Sequence, residues 1–308
     1  MGVAMRLFLL LSMLIGLLTG CAPQASAAVI HLNDRQPLPE QPATDVVPLR
    51  VAVGAVTSPQ GTVDSYAPLL DYLERKLDRP VELVQRRTYA EVDDLIATGF
   101  VDVGFVCTSA YVAGQRDFNM QLLVAPEVDG ETVYYSVLIV PATSEARNMA
   151  DLRGKVFAFT DPMSNTGHNY PKYLVKQLDE TVDSFFARTF FIYSHDDAIR
   201  AVASGLADGA AVDSLVYDYA IEREPELARR TKIIHRSAPF GIPPVVAGPQ
   251  ARPQIVAEVR DLLIGMATDP DGQQVLNGLN IDRFITVEDR IYDSVRQLEV
   301  QVATSTAK

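Results

Sequence analysis

The chain has 308 residues, 48% hydrophobic and 21% charged, which is ordinary for a folded soluble protein and long enough for two modest lobes. Its 27 Lys and Arg against 39 Asp and Glu give a formal charge of −12, the wrong sign for a nucleic-acid partner, which needs a basic face. A small anionic ligand stays open, because helix N-termini and backbone amides bind anions inside a globally acidic protein.

Residues 1–20 read as a signal peptide. Arg6 supplies the positive start, and the apolar run from Leu7 to Leu18 is too short to cross a hydrocarbon core of ~30 Å as a helix. Thr19-Gly20-Cys21 closes that run and resembles a bacterial lipobox, which makes Cys21 the expected lipidation site. The competing reading is a simple secretory signal cleaved near Ala25-Ser26-Ala27. Residues 21–48 are aperiodic and carry Pro23, Pro37, Pro39, Pro42 and Pro48, the composition of a disordered tether.

From Leu49 the pattern becomes periodic. Leu49 to Gly54 is a strand; Tyr66, Leu69, Leu70, Leu73 and Leu77 follow at helical spacing. Val81 to Gln85 is a strand, Thr88-x-x-Glu91 a capping box opening a helix that Gly99 stops, and Val101 to Val106 a strand. This βαβαβ rhythm predicts a mainly parallel sheet with helices on both faces. It restarts after Val133 to Val140 with strands at Lys155–Thr160, Ala187–Tyr193 and Asp208–Val212 and helices at His168–Leu178 and Asp197–Ser204, the last closed by Gly205. Helical stretches at Pro253–Ala267, Gly272–Leu279 and Asp289–Val300 end the chain. The expected fold is α/β with two lobes and a ligand cleft between them: lobe 1 at 49–136, lobe 2 at 137–240, and 241–308 returning to lobe 1 with the C-terminal helices.

Three strand-to-helix junctions place hydroxyls and free amides at helix starts, where a compact anion is stabilised without a charged side chain. They are Cys107-Thr108-Ser109, Ser164-Asn165-Thr166-Gly167 and Ser194-His195-Asp196. Any one of them reads as ordinary helix capping; three together point to a convergent oxyanion site. Cys107 reads as a small buried residue, and with Cys21 lipidated no disulfide is available. The histidines His31, His168, His195 and His235 have no metal-ligand spacing, so no metal or cofactor is expected.

The runs Asp151 to Gly167 (DLRGKVFAFTDPMSNTG) and Ser194 to Ser214 (SHDDAIRAVASGLADGAAVDS), with YAPLLDYL at 66–73 and the stretch from Asp269 to Arg296, resemble the phosphate/phosphite/phosphonate binding proteins of ABC transporters. The resemblance implies the two-lobed type II periplasmic-binding fold, closing on its ligand as a hinged clamp. It implies that Ser164, Asn165 and Thr166 bind the phosphonate oxygens, that His195 donates to another, and that Tyr89 and Tyr134 reach the ligand from lobe 1 and the crossover strand. Thr108 and Ser109 would complete the lobe 1 side, and Asp213 would stand near the ligand's non-phosphorus end. Each has a plainer rival: His195 as a helix-start residue, the tyrosines as core aromatics, and Asp213 as a helix cap.

Two departures from the family pattern bear on specificity. Tyr193 stands where a glycine is usual, and the segment Ala238 to Pro244 lacks the acid of aminoalkylphosphonate binders, favouring phosphite or a small alkylphosphonate. The expected function is the non-enzymatic binding component of an ABC importer, monomeric and lipid-anchored on the outer face of the membrane or in the periplasm, delivering to a permease and ATPase. A sensor lipoprotein of the same fold, or a binder of another small anion, is the alternative. No Gly-x-Ser-x-Gly elbow supports a hydrolase.

Overall fold

The computed structural model describes residues 46–303; the expected signal peptide, Cys21 and the tether up to residue 45 lie outside the described residues. Among the described residues no helix is long and apolar enough to cross a membrane. The carbonyls of Val47 and Pro48 accept from Arg79 and Arg252, which fastens the chain where the folded part begins.

β1 (Leu49–Val53) lies between β2 (Val81–Val84) and β3 (Val103–Phe105), all parallel, as the βαβαβ pattern predicts. β4 (Gln121–Glu127) follows, and the chain leaves this sheet through β5 (Val133–Tyr134). β6 (Ser136–Pro141), β7 (Val156–Phe159), β8 (Arg188–Phe191), β9 (Gly209–Asp213) and β10 (Thr231–Arg236) form a second sheet in the order β10-β6-β9-β7-β8. The chain returns through β11 (Phe240–Gly241) and adds β12 (Val245–Ala247) and β13 (Arg283–Ile285) to the first sheet, whose order is β13-β4-β12-β3-β1-β2.

Both sheets are mixed, which corrects the expectation of mainly parallel sheets. β12 runs antiparallel between β3 and β4, and β6 runs antiparallel between β9 and β10. The cause is the double crossover: a segment returning from the other lobe enters the sheet without the helical crossover that would impose parallel pairing. The two crossover segments pair with each other, Phe240 opposite Tyr134 and Gly241 opposite Val133. The hinge is therefore a two-stranded antiparallel ribbon, with Tyr134 on it.

Local chemistry sets the helix ends. Ser58 caps Pro59–Leu77, which Asp78 closes in the left-handed conformation. Thr88 and Glu91 form both halves of the capping box on Tyr89–Ala97, a motif worth ~1 kcal/mol. In lobe 1, Leu69, Leu73, Val259 and Leu263 cover one sheet face, while Ile96, Tyr111, Val295 and Leu298 pack on the other. In lobe 2, Ala198, Ile199, Val202 and Val216 cover one face, and Phe157, Phe159, Phe185 and Phe186 the other. Each buried Leu, Ile, Val or Phe among these contributes ~1.5–3 kcal/mol, and this packing leaves the strand ends and helix starts facing the space between the lobes.

Candidate functional site

The sequence predicts a helix from His168; the structure starts it earlier. Asn165–Asn169 is a π-helical turn capped by Ser164 and continued by the α-helix Tyr170–Lys176. The wider π turn leaves the Ser164, Asn165 and Thr166 side chains at the helix mouth. Ser164 Oγ accepts from the Gly167 amide at 3.0 Å. Gly167 has a steric reason: a Cβ there would run into Thr160 Oγ1.

His195 opens the helix His195–Ser204 and is 1% exposed. Its Nδ1 accepts the Asp213 backbone N–H at 3.0 Å, so the ring proton resides on Nε2. Nε2 faces Ser164 Oγ at 3.4 Å. Burial holds the imidazole down at about 3 against its usual 6.5, which makes it a neutral donor. Asp213 caps Ser214–Arg223, its carboxylate accepting from Leu215 at 2.8 Å, as the capping reading predicts. Burial pushes that carboxyl up to about 7.

From lobe 1, Thr108 Oγ1 bonds Tyr134 OH at 2.6 Å, and Asn165 Nδ2 donates to the same hydroxyl at 3.2 Å. Tyr134 on the hinge thus ties a lobe 1 helix start to the lobe 2 mouth. Ser109 Oγ accepts from Asn169 at 3.2 Å. The Tyr89 backbone N–H donates to Asp161 Oδ2 at 3.1 Å, and burial raises both the Tyr89 and Tyr134 hydroxyls well above 10. The nine residues expected to bind ligand therefore occupy both sides of one interlobe seam, all buried.

Six buried side-chain polar atoms lack a hydrogen-bond partner among the described residues, and four belong to this seam: Tyr89 OH, Thr160 Oγ1, Asn165 Oδ1 and Thr166 Oγ1. Buried polar atoms are otherwise almost always paired, and four of the six exceptions gather at this seam. Thr160 is absent from the sequence-based set; it reads there as the end of a strand, and only the Gly167 contact brings it in. Ser136, which donates to the Thr166 carbonyl at 2.7 Å, was equally hidden. Cys107 is buried, as its sequence context predicts, and its free thiol accepts the backbone N–H of Asn165.

Further contacts hold the lobes together around this seam. Asp196 of lobe 2 accepts from Ser58 N and Oγ, both at 2.7 Å, and so caps a lobe 1 helix across the cleft. The His195 amide donates to Val56 O at 2.9 Å. Arg87 lies 4.3 Å from the Tyr193 ring centroid, and Tyr193 adopts φ 68°, the left-handed conformation that suits a glycine. Among the described residues no group of His, Cys, Asp and Glu side chains is placed to hold a metal.

Residues 51–292 match the family described as "ABC transporter, phosphonate, periplasmic substrate-binding protein". The phosphate-import protein PhnD of Mycolicibacterium smegmatis is 29% identical over 64% of this chain and 65% of its own length, so the match spans just under two thirds of that relative. The phosphonates-binding periplasmic protein of Escherichia coli is 26% identical over 81% of this chain and 75% of its own. The structure of PhnD1 from Prochlorococcus marinus in complex with methylphosphonate shares the fold with a TM-score of 0.74 at 18% identity, covering 83% of this chain and 98% of that one. The chain belongs to the family of periplasmic substrate-binding proteins of phosphonate ABC transporters.

Proposed function

We propose that this protein captures a phosphonate- or phosphite-type oxyanion between its lobes and delivers it to an ABC permease and ATPase. The observation that carries the proposal is the set of unpartnered buried polar atoms gathered at the interlobe seam beside the neutral Nε2–H donor of His195. Among the described residues no Lys or Arg takes part in the hydrogen bonds of the nine proposed ligand-binding residues, so the anion is held by hydroxyls, amides and a helix mouth. Tyr89, Thr160 and Thr166 donate through their hydroxyls; Asn165 Oδ1 accepts from a protonated ligand oxygen.

The lobes are residues 49–136 with 241–308, and residues 137–240. The protein is exported, anchored through Cys21, and works as a monomer in the periplasm or on the outer face of the membrane. Acyl transfer by Ser164 and His195 is disfavoured by the proton positions: Nε2 already carries the ring proton and cannot take one from Ser164.

Calorimetric titration with phosphite, methylphosphonate, phosphate and sulfate tests the reading. Tight binding of a phosphorus oxyanion over sulfate is expected, and silence across the panel refutes it. Thr166→Val keeps the shape and removes one hydroxyl, so affinity should fall about 10–100-fold with Tm nearly unchanged, as for one hydrogen bond to a charged partner. Tyr193→Gly relieves the left-handed backbone but loses the Arg87 clasp. Its ligand affinity should fall by roughly 2–5-fold, as a surface cation–π contact warrants, and the same titration reads it.

A further inference from the structure

Segment 56–58 of lobe 1 meets the start of the lobe 2 helix His195–Ser204. Ser58 caps Pro59–Leu77 and accepts the Gly61 amide at 3.3 Å. Its own amide and hydroxyl both donate to the Asp196 carboxylate, at 2.7 Å each. The charge of Asp196 therefore stands at a helix N-terminus that belongs to the opposite lobe, where free amides and the helix dipole favour an anion. One residue earlier, the His195 amide donates to Val56 O at 2.9 Å.

Asp196 is 6% exposed. Arg200 Nη1 donates to its Oδ2 at 2.8 Å from one turn along the same helix, and Glu224 accepts from Arg200 Nη2 at 2.7 Å. Burial raises the Asp196 carboxyl, but the bonds from Ser58 and Arg200 outweigh it and hold the group below the usual carboxylate range. Both oxygens are taken by protein donors, and neither is among the unpartnered atoms of the seam. When the lobes part, water replaces Ser58, while the Arg200 bond lies within lobe 2 and remains. Opening strands no buried charge, so the contact makes and breaks reversibly.

We propose that Asp196 is a positioning residue for ligand capture: without touching the ligand it latches the lobes together, so that about half or more of the ligand-free protein is already closed. A site that binds in the closed form alone has an affinity scaled by the closed fraction. Asp196 therefore multiplies the affinity for every ligand by one common factor, whereas a residue in contact with the ligand shifts different ligands unequally. This effect on affinity rests on the proposed oxyanion reading; the closing contact does not. Two amides report closure independently of Asp196. His195 and Tyr89 each open a helix, so their N–H groups have no intrahelical partner. Each donates instead to the opposite lobe, His195 to Val56 O and Tyr89 to Asp161 Oδ2.

The test compares the full-length protein with Asp196→Ala. Losing two charge-assisted bonds lowers the closing equilibrium about 100-fold. Hydrogen exchange of the ligand-free proteins, read by NMR, should find the His195 and Tyr89 amides protected in the wild type. In the variant both should exchange roughly two- to tenfold faster as the open fraction rises. Calorimetry with phosphite and methylphosphonate should find both weakened by one factor of roughly 10–50 as the closed fraction falls. Ser58→Ala should act in the same direction, and the double variant should weaken binding by less than the product of the two single factors. Unprotected amides in the ligand-free wild type, exchange unchanged in Asp196→Ala, unequal factors for the two ligands, or single factors that multiply in the double variant each overturn the latch. Should the wild type bind neither ligand, the oxyanion reading falls, and the exchange measurement still decides the latch.

Discussion

Gly167→Ala should lower both ligand affinity and stability, affinity by two orders of magnitude or more. A Cβ at this position collides with Oγ1, Cβ and Cγ2 of Thr160. Thr160 cannot retreat: it is 0% exposed, its N–H reaches the Gly167 carbonyl, and its own carbonyl takes the Tyr193 amide at 2.8 Å. Overpacking of this kind costs about 1–3 kcal/mol, which lowers Tm by roughly 2–4 °C per kcal/mol in a protein of this size. The displaced groups include the Thr160 and Thr166 hydroxyls, so at least two hydrogen bonds to the anion are lost, at about 1.5–3 kcal/mol each. Thermal denaturation and calorimetry read both effects. The double variant Gly167→Ala/Thr160→Gly removes all three of these contacts and should recover the Tm of Thr160→Gly alone. An alanine at 167 that binds and melts like wild type would refute the packing account.

His195→Gln carries the largest expected effect of pH. The buried ring titrates at about 3 in the folded protein against 6.5 ordinarily. Between those values the unfolded chain binds the ring proton and the folded chain does not. Stability from this group is therefore complete above pH 6.5 and is lost as pH falls, by about 2 kcal/mol on reaching pH 5. Asp213 works in the opposite sense. Its folded carboxyl titrates at about 7 against 3.8, so its contribution is present below 3.8 and is lost as pH rises towards 7. In the wild type the two partly cancel between pH 5 and 7. With the imidazole removed, the Asp213 contribution remains, and the variant should lose stability over that rise while the wild type stays flatter. Denaturant unfolding at pH 5, 6 and 7 measures the difference; parallel curves for the two proteins would contradict the buried neutral histidine. His195→Ala, which also leaves the Asp213 amide unpaired, should weaken ligand binding about 10–100-fold.

Much of this molecule is written in short-range patterns. The Thr88–Glu91 capping box and the stop at Gly205 appear where four or five adjacent residues demand them, because capping satisfies backbone amides and carbonyls locally. The parallel β2-β1-β3 core follows from apolar runs separated by helical spacing. The burial of the proposed site residues at helix starts is legible in the two long family-like runs for the same reason: each run is a strand, a turn and a helix start in sequence. The Asn165–Asn169 turn is π-helical where the sequence predicts only a loop into a helix, since one extra residue per turn leaves no compositional mark.

What the sequence determined by itself was the class of the protein: two α/β lobes, helix starts rich in hydroxyls, and an acidic chain able to take a small anion on neutral donors. Tertiary structure alone decided the rest. It inserted β12 antiparallel between β3 and β4, paired β5 with β11 as the hinge, brought Thr160 beside Gly167, and aligned the Asp213 amide with His195 Nδ1. It also gathered five carboxyl groups around one cleft from positions as far apart as Asp129 and Asp282. These contacts join residues distant in sequence, and their energies depend on burial and on partners that no local pattern specifies.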